Sequence, residues 1–273
     1  VRKNTLAIFV LSVGIGFGQT PSTPPAAAAE LPMARQFLRD EWRIWSSPLK
    51  RKSYASHTVA KYVIPFTLIS AALIATDNRT SDVLPNTKDQ AHWSAHVSQL
   101  GAAYSLGGVS GGAFLLGKVT GNRRAEESGW LAMHAIAHTQ LVVFAAKQIT
   151  NRRRPPNRGT RSGFWDGGDS FPSGHSASSF AVATVFAYEY RDHIAVPIVA
   201  YTLASAVAAS RMSAQRHWVS DIFVGSSTGF LLGRFVYRQH HDNGLPGSPV
   251  NRTSKLMPKV GLGAKTFALD WTL

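Results

Sequence analysis

The chain has 273 residues, 44% of them hydrophobic, enough to bury a substantial core in one main domain. Twenty-nine Lys and Arg against 15 Asp and Glu give a formal charge of +14, which attracts phosphorylated molecules and anionic bilayer surfaces. Aromatic and basic residues do not interleave as in a nucleic-acid module, so no nucleic acid is expected as partner, and the lack of cysteine excludes disulfides and thiolate zinc sites.

In chain order, Arg2 and Lys3 precede an apolar stretch over 6–17, followed by Gln19-Thr20-Pro21, which reads as a secretory signal peptide over 1–20. Residues 21–58 comprise a Pro/Ala-rich linker and an amphipathic helix in which Phe37, Leu38, Trp42 and Ile44 recur at helical spacing. The main domain, 59–240, reads as helices over 59–76, 88–99, 102–118, 126–150, 176–190, 193–210 and 217–239, leaving 241–273 as a tail. Strand alternation is scarce, so the expected fold is an all-α multi-helix bundle. Gly107, Gly108, Gly111 and Gly112 are expected at a close helix contact. His134 and His138 resemble a metal pair but lack a third ligand, and are read as structural.

The chemistry-bearing residues fall into three clusters at the ends of these helices. Arg154-Pro155-Pro156 breaks the 126–150 helix, with Lys147 near its end; Gly167-Gly168 turns the chain back to Pro172, where Pro-Ser-Gly-His opens the next helix. Lys147, Arg154 and Arg211 offer cations and guanidinium forks that fit the oxygens of a phosphate. Ser173 offers a hydroxyl, and Gly174 lets helix-start amides approach an anion. Phosphoester hydrolysis without a metal needs a nucleophile and an acid, and His217 and His175 are available. On a helix, Asp221 would share a face with His217 and accept a hydrogen bond from its ring, which makes His217 the nucleophile and His175 the acid.

These elements resemble the PAP2 superfamily, which includes type 2 phosphatidic acid phosphatases, bacterial non-specific acid phosphatases and the related vanadium haloperoxidases. The pattern is Lys, six residues, Arg-Pro; then Pro-Ser-Gly-His; then Ser-Arg, five residues, His, three residues, Asp. Here it is met by Lys147 with Arg154-Pro155, by 172–175, and by Ser210-Arg211, His217 and Asp221. The resemblance implies the acid phosphatase-haloperoxidase type of helical bundle, with Lys147, Arg154, Ser173, Gly174, His175 and Arg211 around the phosphate and His217 and Asp221 as nucleophile and orienter. It implies a metal-independent phosphatase acting on phosphomonoesters or lipid (di)phosphates without a cofactor; the alternatives are a vanadium-dependent haloperoxidase, with vanadate in the same cradle, and a non-catalytic anion- or nucleic-acid-binding envelope protein. Trp165, Phe171 and Trp218 are candidate walls for the leaving group.

Six segments approach the length of a membrane span, but Lys61, His134, His138 and Gln140 lie within them and the mean hydropathy of the chain is only −0.06. If a leader exports residues 21–58, crossings near 59, 100 and 131 leave Lys147 in the cytoplasm, whereas the bacterial relatives act outside it. The expectation is therefore an exported, periplasmic protein, soluble or peripherally associated with an anionic membrane, with an integral inner-membrane bundle as the alternative.

Overall fold

The structure, a computed structural model, describes residues 33–47, 59–84, 87–155, 161–242, 244–245, 259–263 and 266–270. The expected signal peptide, the linker over 21–30, Pro156 and Arg158 lie outside the described residues. The chain divides into two units, 1–50 and 51–273. In the first, α1 (Met33–Ser46) is amphipathic, with Leu38 and Trp42 exposed and the Trp45 indole donating to Glu41 at 2.8 Å.

The second unit is a helical bundle. A π-helical turn (Val59–Val63) leads into α2 (Ile64–Val83), followed by α3 (Lys88–Gln99), α4 (Ala103–Thr120), α5 (Arg123–Thr150), α6 (Gly174–Glu189), α7 (Ala195–Ser213) and α8 (Val219–His240). Local chemistry sets the ends. Thr87 caps α3 and Asn122 caps α5, each accepting an amide of the first turn, while Gly121 at φ 70° ends α4 and Asn151 at φ 41° ends α5. Beyond the bundle, β1 (Lys259–Gly263) pairs antiparallel with β2 (Thr266–Asp270), a hairpin within what the sequence reads as a tail.

Helix α6 is central and packs against α5, α7 and α8. The core joins Leu131, Ala132, Ala135 and Ile136 of α5 to Ala181, Val182 and Val185 of α6 and Val236 and Tyr237 of α8. The α6–α8 contact is close because Gly225, Gly229 and Gly233 recur every fourth residue on α8. A Cβ on each would run into the backbone of Ser173, Ala177 and Ala181 respectively. The glycines expected to serve this purpose do not: a Cβ on Gly107, Gly108 or Gly112 meets nothing within 4 Å, and one on Gly111 meets only Met133 Sδ at 3.9 Å. In α4 the close approach is made instead by Gly117, against the backbone of Ala125 and Glu126.

Four segments are long and apolar enough to cross a membrane: Val59–Val83, Lys88–Thr120, Arg123–Thr150 and Ala195–Ser213. None of the most apolar window of Val59–Val83 is buried within the protein. Leu68, Val119, Phe144 and Ile198 are each more than half exposed, on the four different segments. A belt of this extent favours an integral-membrane bundle and corrects the preference for a soluble one. Of the polar residues that argued for solubility, Lys61 is exposed near the start of its segment, but His138 is fully buried and the Gln140 amide donates to Ser178 Oγ on α6 at 2.7 Å.

Candidate active site

The C-terminal ends of α5 and α7 and the N-terminal ends of α6 and α8 meet at one end of the bundle, bringing all three clusters together. Lys147 lies in the last turn of α5. Beyond it, residues 151–155 and 161–173 are irregular and are held by backbone bonds from Trp165 N to Thr150 O (2.8 Å), Gly168 N to Asn151 O (3.0 Å) and Ser170 N to Arg152 O (2.8 Å). Arg154 and Asp169 sit on this loop. Arg154 donates from Nε and Nη2 to the two carboxylate oxygens of Asp169 at 2.7 and 2.9 Å, and Lys147 Nζ lies 3.7 Å from the second of these oxygens.

Ser173 is the N-cap of α6. Its hydroxyl is fully buried, lies 2.9 Å from Ser176 Oγ and accepts the Ser176 amide at 3.5 Å, and its own amide donates to Asp221 O at 3.0 Å. Gly174 and His175 follow as the first two helical residues, where amides lack partners within the helix. Burial, reinforced by the cations Arg211, Lys147 and Arg154, pulls the His175 pKa down to about 4. Arg211, in the last turn of α7, donates from Nη1 to Ser98 Oγ on α3, and its Nε has no hydrogen-bond partner among the described residues.

His217 and Asp221 do not share a helix face. His217 lies in the turn before α8, Trp218 is the N-cap, and Asp221 sits in the first turn, where one carboxylate oxygen accepts the Trp218 amide at 2.9 Å. The ring of His217 is held chiefly by a backbone group: Nδ1 is 2.8 Å from Ser170 O and 3.5 Å from Asp221 Oδ2. A carbonyl oxygen can only accept, so Nδ1 carries the proton and Nε2 keeps its lone pair. Burial pulls the His217 pKa below the usual imidazole value, against the opposing pull of Asp221, so the ring is neutral near pH 7.

Asp221 is anchored by groups that the sequence motifs do not include. The fully buried Arg152 donates from Nη1 to Asp221 Oδ1 at 2.5 Å and to Ser220 Oγ at 2.6 Å, and from Nη2 to Asp77 Oδ2 of α2 at 2.6 Å. Ser170 Oγ donates to the other Asp221 oxygen. Phe164, Phe171 and Trp218 surround the Arg152 guanidinium at 4.6, 5.9 and 5.5 Å. Trp218 is thus a core residue, its indole donating to Arg153 O at 2.7 Å, while Trp165 stands exposed on the loop. An acid within the apolar α2 was the sequence signal for Asp77, since a charge there needs a partner. Arg152 was hidden in a basic run, and Ser170 acts partly through its carbonyl, which carries no sequence signature.

Residues 128–245 match the PAP2 superfamily. Among relatives, the chain is 38% identical over 97 residues to a lipid A 1-phosphatase of Porphyromonas gingivalis, covering 35% of this chain and 20% of that protein. It is 38% identical over 86 residues to a probable diacylglycerol pyrophosphate phosphatase 1 of Schizosaccharomyces pombe, covering 27% of this chain and 31% of that one. The chain therefore spans less than a third of the length of either relative. A crystal structure of the transmembrane PAP2-type phosphatidylglycerolphosphate phosphatase from Bacillus subtilis aligns at a TM-score of 0.49 and 23% identity, covering 64% of this chain and 94% of that one. The segment that matches the PAP2 superfamily contains every residue of the three clusters, from Lys147 to Asp221.

Proposed function

We propose that the protein is a metal-independent phosphatase that removes a terminal phosphate from a lipid phosphate or diphosphate, or a simpler phosphomonoester, through a phosphohistidine on His217. The observation that carries this reading is the convergence of Lys147, Arg154 and Arg211 on two histidines, one of which has its Nδ1 proton committed to Ser170 O. The bound phosphate offsets the cations that depress His175 in the free site, so the ring takes up a proton with the substrate; Nε2 of His217 attacks phosphorus, the Nε2–P bond forms as the P–O bond to the leaving group breaks, and His175 gives that oxygen its proton. His175 then takes a proton from water, whose oxygen attacks phosphorus and frees Nε2 and inorganic phosphate. The cations and the first amides of α6 neutralise the charge that spreads over the equatorial oxygens. Asp221, fixed by Arg152, stabilises the positive charge that grows on the His217 ring.

The names of the two relatives and the apolar exterior of the bundle support a lipid phosphate over a soluble ester. The test is phosphate release in EDTA from phosphatidate, diacylglycerol pyrophosphate and p-nitrophenyl phosphate. His217→Ala should lower the rate on the order of 10⁴-fold or more. Hydrolysis at an undiminished rate by this variant refutes the mechanism.

As an integral protein, the chain would present its site at one membrane face. Three crossings, those of α2, α4 and α5, separate Val59 from the site, so the two lie on opposite faces. An exported site then places Val59 in the cytoplasm, which a leader that exports residues 21–58 would not allow. The absence of native cysteine makes this directly measurable. In intact cells, a membrane-impermeant maleimide should label only one of Asp166→Cys, at the site end, and Arg123→Cys, at the start of α5. Labelling of both would identify a soluble exported bundle.

A further inference from the structure

The cradle of cations already holds an oxyanion belonging to the protein. Asp169 takes both the Nε and the Nη2 of Arg154, the same two-point grip that a guanidinium offers a phosphate. The oxygen at 2.9 Å from Arg154 Nη2 is also 3.7 Å from Lys147 Nζ, so it lies between the two cations of the first motif. We propose that Asp169 is a built-in stand-in for the phosphoryl group, occupying the Arg154–Lys147 part of the cradle in the free protein and yielding it to a terminal phosphate. The proposal rests on the reading of Lys147 and Arg154 as phosphate ligands.

The surroundings permit such an exchange. The Asp169 side chain is 63% exposed, so release places its charge in water at little desolvation cost. Its backbone neighbours are pinned, Gly168 N to Asn151 O and Ser170 N to Arg152 O, so only the side chain has to rotate and the loop that carries Ser170 and Arg154 stays in place. The Arg154 hydrogen bonds hold the Asp169 pKa down at about 2, so the occupant is ionised across any working pH.

The consequence is selectivity. An incoming anion must outcompete a carboxylate of the same chain, which is present at a high effective concentration. A free carboxylate or a singly charged phosphodiester offers Arg154 and Lys147 no more than the group it displaces. A terminal phosphate brings a second charge and a third oxygen that can engage Arg211 as well. Asp169 therefore makes the site discriminate in favour of terminal phosphates, and it weakens retention of the inorganic phosphate product.

The experiment is calorimetric titration of the purified full chain in detergent with inorganic phosphate, in EDTA at pH 7, for wild type, Asp169→Asn and Asp169→Ser. Displacement predicts that both variants bind phosphate about tenfold more tightly, since the self-occupied fraction no longer taxes the affinity. Acetate should protect the wild-type site poorly and the variants measurably better. Unchanged or weaker phosphate binding in both variants overturns the proposal and makes Asp169 a residue that merely positions Arg154. Failure of both variants to fold also overturns it, because a displaceable carboxylate is dispensable to the fold. If no ester is hydrolysed by wild type but the variants still gain phosphate affinity, the phosphatase reading falls and the displacement stands.

Discussion

The bundle carries a charged cluster at each end, and the two are built differently. At the end away from the site, Arg124 donates to Glu189 O at 3.1 Å and to Asp192 Oδ2 at 3.0 Å, its guanidinium lying 4.4 Å from the Tyr190 ring centre. His241 Nδ1 stands 2.9 Å from Glu127 Oε1 and 3.2 Å from Glu189 Oε2, and Arg123 pairs with Asp242 at 3.0 Å. Acids and bases there answer one another and tie α5, α6 and the end of α8 together. At the site end, Lys147 and Arg154 share the exposed Asp169 and Arg211 pairs with no acid among the described residues, while the neighbouring Arg152 is enclosed by Asp77 and Asp221. Burying charge is tolerable when the partners are present, and an excess of one sign facing an open end stores attraction for a ligand of the other. The cradle is the part of the molecule where that excess has been left.

Two arginines two residues apart break this comparison most sharply. Arg152→Ala removes the cation from a closed network and leaves the carboxylates of Asp77 and Asp221 uncompensated, which should cost about 3–5 kcal/mol. The outcome is a large drop in thermal midpoint in detergent, or loss of folded protein. Arg154→Ala removes a cation from the open cradle and should change stability by less than about 1 kcal/mol. It should nevertheless lower kcat/KM on the order of 100-fold, as expected for a group that meets charge developing in the transition state. Paired melting and turnover measurements decide the matter: a stable Arg152→Ala and an unfolded Arg154→Ala would reverse the assignment of closed and open networks.

Much of this was legible in the sequence because helix ends are written in local chemistry. Asn122, Gly121, Asn151 and Ser173 mark the boundaries of α4, α5 and α6, and the residues of the three clusters sit beside such boundaries. What was not legible depends on neighbours distant in the chain. His217 and Asp221 looked like a helical pair, but Trp218 begins α8 and Ser170, 47 residues upstream, supplies the closer acceptor. The spacing from Lys147 and the following proline pick out Arg154, but nothing in the basic run marks Arg152 until α2 brings Asp77 to it. The membrane question turned on averaging: charges in the terminal stretches and inward-facing polar side chains such as Gln140 dilute a mean hydropathy, whereas each of the four long segments holds an apolar window and exposes large apolar side chains. Likewise, glycine spacing alone could not separate the stripe on α8, which touches α6 backbone, from the pairs on α4 that face open space.

The far end supplies the smallest and most specific test, because its closure depends on a proton. Burial works against a charged His241, but the hydrogen bonds to Glu127 and Glu189 prevail and raise its pKa to about 9. A group whose pKa is raised on folding stabilises fully below its unfolded value, near 6.5, and that contribution is lost as pH climbs through the folded value. The wild-type protein should therefore lose on the order of 2 kcal/mol between pH 6.5 and about 9.5 from this residue, read as a falling thermal midpoint in detergent. His241→Gln should be less stable than wild type at pH 6.5 and should approach it at alkaline pH, with the cradle's affinity for phosphate unchanged. If the two proteins keep a constant gap across that range, the far cluster is held by Arg124 and by packing, and the proton on His241 contributes nothing to its closure.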